Sequence, residues 1–179
     1  MTTPPIIHPP PPAMPGQATD PSREQSIQRA LLRAYVDKNH DKYQRMWDKA
    51  RASSTKQSWN WAAFFLSFAW FAYRKMYVVS AVWIALIIAE MIASMVFAYP
   101  ERYSSIFSLA LAFGAGQVGN TIYAEHANRH VNQVKATLPS SHWVRYLRSK
   151  GGISWWAGIG AFVILIALLL LVSVLGGEL

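Results

Sequence analysis

The chain contains no cysteine. That excludes disulfide staples, thiol nucleophiles and cysteine-ligated zinc or iron–sulfur sites, and leaves the redox compartment open. Acidic residues are scarce as well: nine Asp and Glu stand against 17 Lys and Arg, for a formal charge of +8. No GxSxG, HExxH or P-loop occurs, so no motif argues for hydrolytic or nucleotide chemistry, and no cofactor is expected. The N-terminus has neither an early Lys or Arg nor a continuous apolar core, so it does not read as a signal peptide. What is present is apolar sequence gathered into a few long runs. The mean hydropathy is only +0.15 because polar segments dilute them.

The excess charge lies in two blocks. Arg23 to Lys56 carries nine Lys or Arg against Glu24, Asp37, Asp41 and Asp48. From Glu125 to Lys150, Arg129, Lys135, Arg145, Arg148 and Lys150 face Glu125 alone. Both blocks adjoin apolar runs. Such residues are drawn to anionic lipid headgroups, each by about 1 kcal/mol near the surface. A pI of about 9.9 also suits nucleic acid, but no recognition motif accompanies the charge, so no nucleic-acid partner is expected.

Residues 1–21 read as a disordered proline-rich arm, with Pro9 to Pro12 at its centre. Residues 22–51 read as a cytoplasmic amphipathic helical segment. Ser22 and Gln25 have capping-box spacing, and Ile27, Leu31 and Tyr35, then Tyr43 and Trp47, recur every four residues, with an interruption near Asn39-His40. This stripe can face the membrane, the chain's own helices or a partner. Residues 52–58 form a polar linker.

The membrane domain is expected over 59–175, followed by an external tail, 176–179. Runs 76–99, 106–123 and 153–175 are long enough to cross a bilayer; the first is ~36 Å as a helix against a ~30 Å hydrocarbon core. Tyr99-Pro100 marks a turn, and Trp155-Trp156 opens the third run as interfacial aromatics do. Residues 59–73 are short for a crossing. If they cross, Lys and Arg divide ten against seven; if they lie in the interface, sixteen fall on one side against Arg102 alone. The second count favours an all-α integral membrane protein. It has three transmembrane helices, an interfacial aromatic helix over 59–73, cytoplasmic amphipathic helices and a basic cytoplasmic loop over 124–152.

Glu90 is an ionisable group at membrane depth. It reads either as part of a proton or cation path or as a hydrogen-bonded carboxyl holding helices together, with Gln117 and Asn120 as candidate partners. Gly114, Gly116 and Gly119 spell GxGxxG, but no strand precedes them, so they serve close helix approach instead, as do Ala110 with Gly114 and Ala115 with Gly119. His126 and His130 lie one turn apart but lack further ligands, so no metal site is expected.

The order Tyr43…Trp47, Trp59-Asn60-Trp61-Ala62-Ala63-Phe64-Phe65…Trp70…Tyr73-Arg74-Lys75-Met76-Tyr77, Gly119-Asn120…Tyr123…His126, then Gly151-Gly152…Ser154-Trp155 resembles domain-of-unknown-function family 2628 over roughly residues 39–156. The resemblance implies a helical protein of the bacterial inner membrane and brings no catalytic residue with it. If its elements form one site, that site combines Asn60, Tyr73, Arg74 and Lys75 with Asn120, Tyr123 and His126. It would be a headgroup- or partner-binding surface at the cytoplasmic interface, unless these residues only anchor helices. The functional expectation is a non-enzymatic, multi-pass interaction or accessory protein with its N-terminus cytoplasmic and its C-terminus external. It binds anionic lipid, a membrane protein partner or further copies of itself. The alternative is an oligomeric small transporter or channel subunit using Glu90, Gln117 and Asn120.

Overall fold

A computed structural model describes residues 20–52 and 58–177. Among these the chain is helical, with no strand. The proline-rich arm through residue 19, most of the 52–58 linker and the end of the tail lie outside the described residues.

Helix α1 (Pro21–Val36) is capped by Asp20, whose carboxylate accepts from the Ser22 N–H at 3.0 Å. Pro21 takes the first turn, where a missing N–H leaves nothing unpaired. The cap is therefore Asp20 rather than Ser22 with Gln25. The chain turns through Asp37 and Asn39, both at positive φ, into α2 (His40–Ala52), where the sequence expected an interruption. Leu31, Tyr35, Tyr43 and Trp47 are buried and Ile27 packs beside them, so the four-residue stripe faces the chain's own core.

The single interfacial helix expected over 59–73 is corrected. Two short helices stand there, α3 (Trp61–Leu66) and α4 (Phe68–Tyr73), broken at Ser67 with φ 45°. Phe68 through Ala72 are all buried, which makes α4 an interior wedge between α5 and α8 rather than an element lying on a surface. The physical reason is the narrow polar content of this run. Asn60, Ser67 and Arg74 occupy helix ends instead of forming a polar face.

Helix α5 (Tyr77–Phe97) follows, tied to α4 by Ser80 Oγ donating to the Phe68 carbonyl at 2.9 Å. A turn through Ala98 and Pro100 leads to α6 (Glu101–Thr137), whose 37 residues extend ~55 Å. The stretch 106–123 is thus the first half of a longer helix. The expected basic loop over 124–152 is also corrected: it is the second half of α6, a 3-10 turn at Ser140–His142 and α7 (Trp143–Lys150). Tyr123, Ala127, Val131 and Val134 are buried at three- and four-residue spacing, an amphipathic pattern that the surrounding basic residues obscure. Helix α8 (Trp155–Gly177) completes the described chain.

Two helical stretches are long and apolar enough to cross a membrane, Tyr77–Phe97 and Ser140–Ala167, where the sequence pointed to three. The apolar part of the second is α8. Gln117, Asn120 and the glycines at 114, 116 and 119 dilute the first half of α6.

Candidate functional site

The motif residues converge where α2, α3, α4 and α6 meet. Asn60 caps α3, its Oδ1 accepting from the Ala63 N–H at 3.0 Å. Its Nδ2 donates to Asn120 Oδ1 at 2.9 Å, and its backbone N–H donates to the Gly116 carbonyl at 2.8 Å. Asn120 Nδ2 in turn donates to Ser58 Oγ (3.0 Å) and to the Ser58 and Trp59 carbonyls, while Trp47 Nε1 donates to the Asn120 carbonyl at 3.2 Å. Close approach of α3 to α6 requires the glycine at 119, where a Cβ would stand 2.9 Å from the Ala63 Cβ. The Ala115–Gly119 face is therefore filled from within the chain, whereas Gly114 has open space beside it.

One turn further along α6, Tyr123 is buried, with Tyr43 edge-on at 5.0 Å between ring centres and Trp47 and Trp70 beside it. Arg74 enters this cluster from the end of α4. It is only 3% exposed, and its guanidinium lies 4.5 Å from the centre of the Tyr43 ring, 5.0 Å from Tyr123 and 5.7 Å from Tyr73. One terminal nitrogen donates to the Tyr123 hydroxyl at 3.3 Å, and Nε is buried without a hydrogen-bond partner among the described residues. Among the described residues no carboxylate pairs with it. Its positive charge is held by three tyrosine π-faces.

The structure thus brings Asn60 to Asn120, and Tyr73 and Arg74 to Tyr123, but inside the protein rather than on a surface. Lys75 is separate: its Nζ donates to the Gly151 carbonyl at 2.6 Å, past the end of α7. His126 is separate too. Its ring faces His130 at 4.5 Å, with Tyr35 stacked on His130. Partial burial, then the charges of His130 and Arg129, push His126 down to about 4, and burial pushes Tyr35 up to about 12. Among the described residues no third metal-ligand type joins the two histidines. Glu90 does not meet Gln117 or Asn120; its Oε1 accepts from the Tyr99 hydroxyl at 2.8 Å. A cleft of about 160 Å³ lies beside Asn120, lined by Leu32, Trp47, Ser58, Thr121 and Asn128 among others. It is small for an organic ligand.

Tyr43, Ser58 and Tyr99 complete these contacts without having been singled out as site residues. For Tyr43 the four-residue spacing to Trp47 was the available signal; for Ser58 and Tyr99 there was none. Gly151, Gly152 and Ser154 are joints as well. The Gly152 N–H donates to the Tyr35 carbonyl at 2.7 Å and the Ser154 N–H to the Tyr73 carbonyl at 2.8 Å.

These features define an all-helical protein with two highly apolar helices and a buried amide and arginine–tyrosine node. No nucleophile–base pair is assembled among the residues at that node. The chain belongs to the family described as protein of unknown function (DUF2628), whose model matches residues 28–129. The match takes in the node and ends before Gly151. No curated protein and no solved structure matches the chain.

Proposed function

We propose that the chain is a non-enzymatic protein of the bacterial inner membrane. It crosses three times, through α5, the first half of α6 and α8, with its N-terminus cytoplasmic and its C-terminus external. Its cytoplasmic side, built from α1, α2, the second half of α6 and α7, is an interaction surface for anionic lipid or a membrane partner.

One observation carries this reading. Among the described residues, every exposed large apolar side chain except Tyr146 lies between 61 and 113 or between 155 and 174. A soluble core helix hides its apolar residues, whereas the most apolar parts of Tyr77–Phe97 and Ser140–Ala167 are only 6% and 11% buried. Exposed Tyr77, Trp155 and Trp156 stand where these helices begin, as interfacial aromatics do. In the sequence the Lys and Arg residues fall outside 76–99, 106–123 and 153–175, and only Arg102 lies in the connection between the first two. The first half of α6 runs back beside α5 and exposes Ile106, Leu109 and Phe113, which supports it as the third crossing.

The transporter reading draws less support. Asn120 is committed to Ser58, Trp59 and Asn60, and Glu90 to Tyr99, so two of the three groups of that path are engaged elsewhere. The test is reconstitution of the full chain into phosphatidylcholine bilayers containing phosphatidylglycerol. Retention of phosphatidylglycerol above its bulk fraction, with no proton flux altered by Glu90→Gln, is expected. Equal retention of both lipids together with Glu90-dependent flux would replace this reading with the transporter.

A further inference from the structure

The chain has two basic blocks, and they are not electrically alike. In the first, four acids are interspersed, and pairs form: Arg51 with Asp48, and Glu24 with Lys135, which reaches across from the second block on α6 at 3.4 Å. Beyond Glu125 and the Lys135–Glu24 pair, the second block has no such compensation on α7. From His126 through Gly177 there is no Asp or Glu. Arg145, Arg148 and Lys150 on α7 are exposed and form no ion pair among the described residues.

Helix α7 is also oriented for a surface. Trp143, Val144 and Leu147 turn into the core, while Arg145, Tyr146, Arg148, Ser149 and Lys150 turn outward. Its last turn is fixed at the level where two apolar helices begin. Lys75, two residues ahead of α5, donates to the Gly151 carbonyl, and the Ser154 N–H, just ahead of α8, donates to the Tyr73 carbonyl. The contact from Lys75 also places a cation on the negative end of the α7 dipole, which would otherwise repel an anion. Exposed Trp155 and Trp156 follow at once. A Cβ at Gly152 would lie 3.9 Å from Asp37 Oδ2, so that carboxylate stands beside Gly152, after the last turn of α7.

We infer that the outward face of α7 is the headgroup-binding element of this protein, and that Arg145, Arg148 and Lys150 bind the phosphates of anionic phospholipids in the cytoplasmic leaflet. The occupant is lipid because a phosphate layer complements an uncompensated basic face standing beside interfacial tryptophans. This rests on the membrane reading above and narrows it to one helix.

The test titrates the full chain in neutral detergent with dioctanoyl-phosphatidylglycerol and, separately, with dioctanoyl-phosphatidylcholine, counting bound lipids by native mass spectrometry. Two triple variants are compared, Arg145→Gln/Arg148→Gln/Lys150→Gln and Arg29→Gln/Arg33→Gln/Lys42→Gln. Each removes three exposed charges, and helicity by circular dichroism verifies folding. The α7 variant is expected to lose about tenfold or more in phosphatidylglycerol affinity, the α1–α2 variant less than about threefold, and phosphatidylcholine binding is unchanged in both. Equal losses in the two variants, or a larger loss in the α1–α2 variant, would overturn the assignment to α7 while leaving lipid binding intact. A wild-type chain that binds both lipids equally would remove the lipid reading itself. If soluble inorganic phosphate at equal concentration displaced the phosphatidylglycerol completely, α7 would be an anion site rather than a lipid site.

Discussion

Asn60 and Asn120 meet through a 2.9 Å side-chain hydrogen bond, joining the cap of a six-residue helix to the middle of a 37-residue one. Every other polar atom of the two amides is engaged locally, so the pair locks α3 onto α6. Asn120→Ala strands the partners of a buried amide and is expected to destabilise the protein by about 2–4 kcal/mol. Asn60→Ala loses the cap as well. A double-mutant cycle on thermal unfolding in detergent should return a coupling of about 1 kcal/mol, and strict additivity would mean that the bond carries nothing.

Arg74 is held by ring faces and one hydroxyl rather than by a carboxylate. Arg74→Lys keeps the charge but loses the planar group, and about 1–2 kcal/mol of stability should go with it. Chemical denaturation of the purified protein measures this. An unchanged midpoint would show that charge alone matters there.

Two glycines give opposite expectations. A Cβ at Gly151 would stand 2.0 Å from the Tyr35 carbonyl oxygen, so Gly151→Ala must push α1 from α7 and should cost about 3 kcal/mol. A Cβ at Gly114 meets nothing within 4 Å. Gly114→Ala should be neutral, or stabilising by up to about 1 kcal/mol through helix propensity. Melting curves of the two variants side by side test the packing of each face.

Histidine 126 makes stability depend on pH. Its folded-state value is about 4, below the ordinary 6.5, so the unfolded chain takes up the proton first as pH falls. This contribution to stability is complete above about 6.5 and is lost progressively as pH drops toward 4. The melting temperature of the wild type should therefore fall more steeply over that window than that of His126→Gln. Parallel curves would place the dependence on other groups.

Legibility in the sequence followed how far each signal was local. The Tyr99-Pro100 turn, the break near Asn39-His40 and the apolar helices α5 and α8 rest on composition and spacing within one segment, and each stands close to where it was read. The inward stripe of Tyr43 and Trp47 was legible as a stripe, but its partner Tyr123 lies 76 and 80 residues away and left no local mark. Residues 59–73 misled because an aromatic run with Arg and Lys at its end has the same composition whether it lies at an interface or fills an interior. Burial of Arg74 among tyrosines is a tertiary fact. The second half of α6 was obscured for another reason: its buried face of Tyr123, Ala127, Val131 and Val134 is interleaved with polar and basic residues that read as a loop. The family motifs did converge in space, yet as joints of the fold rather than as an exposed surface.

Three crossings with the basic helices on the cytoplasmic side can be read directly from which positions are accessible outside the cell. Because the natural chain has no cysteine, single substitutions report position without background. We would introduce Lys49→Cys, Arg102→Cys and Arg145→Cys separately and treat intact cells with a membrane-impermeant maleimide. Labelling is expected at 102 in intact cells, and at 49 and 145 only after permeabilisation. Labelling of 145 but not 49 in intact cells would mean that residues 59–73 cross, and would contradict the three-crossing topology.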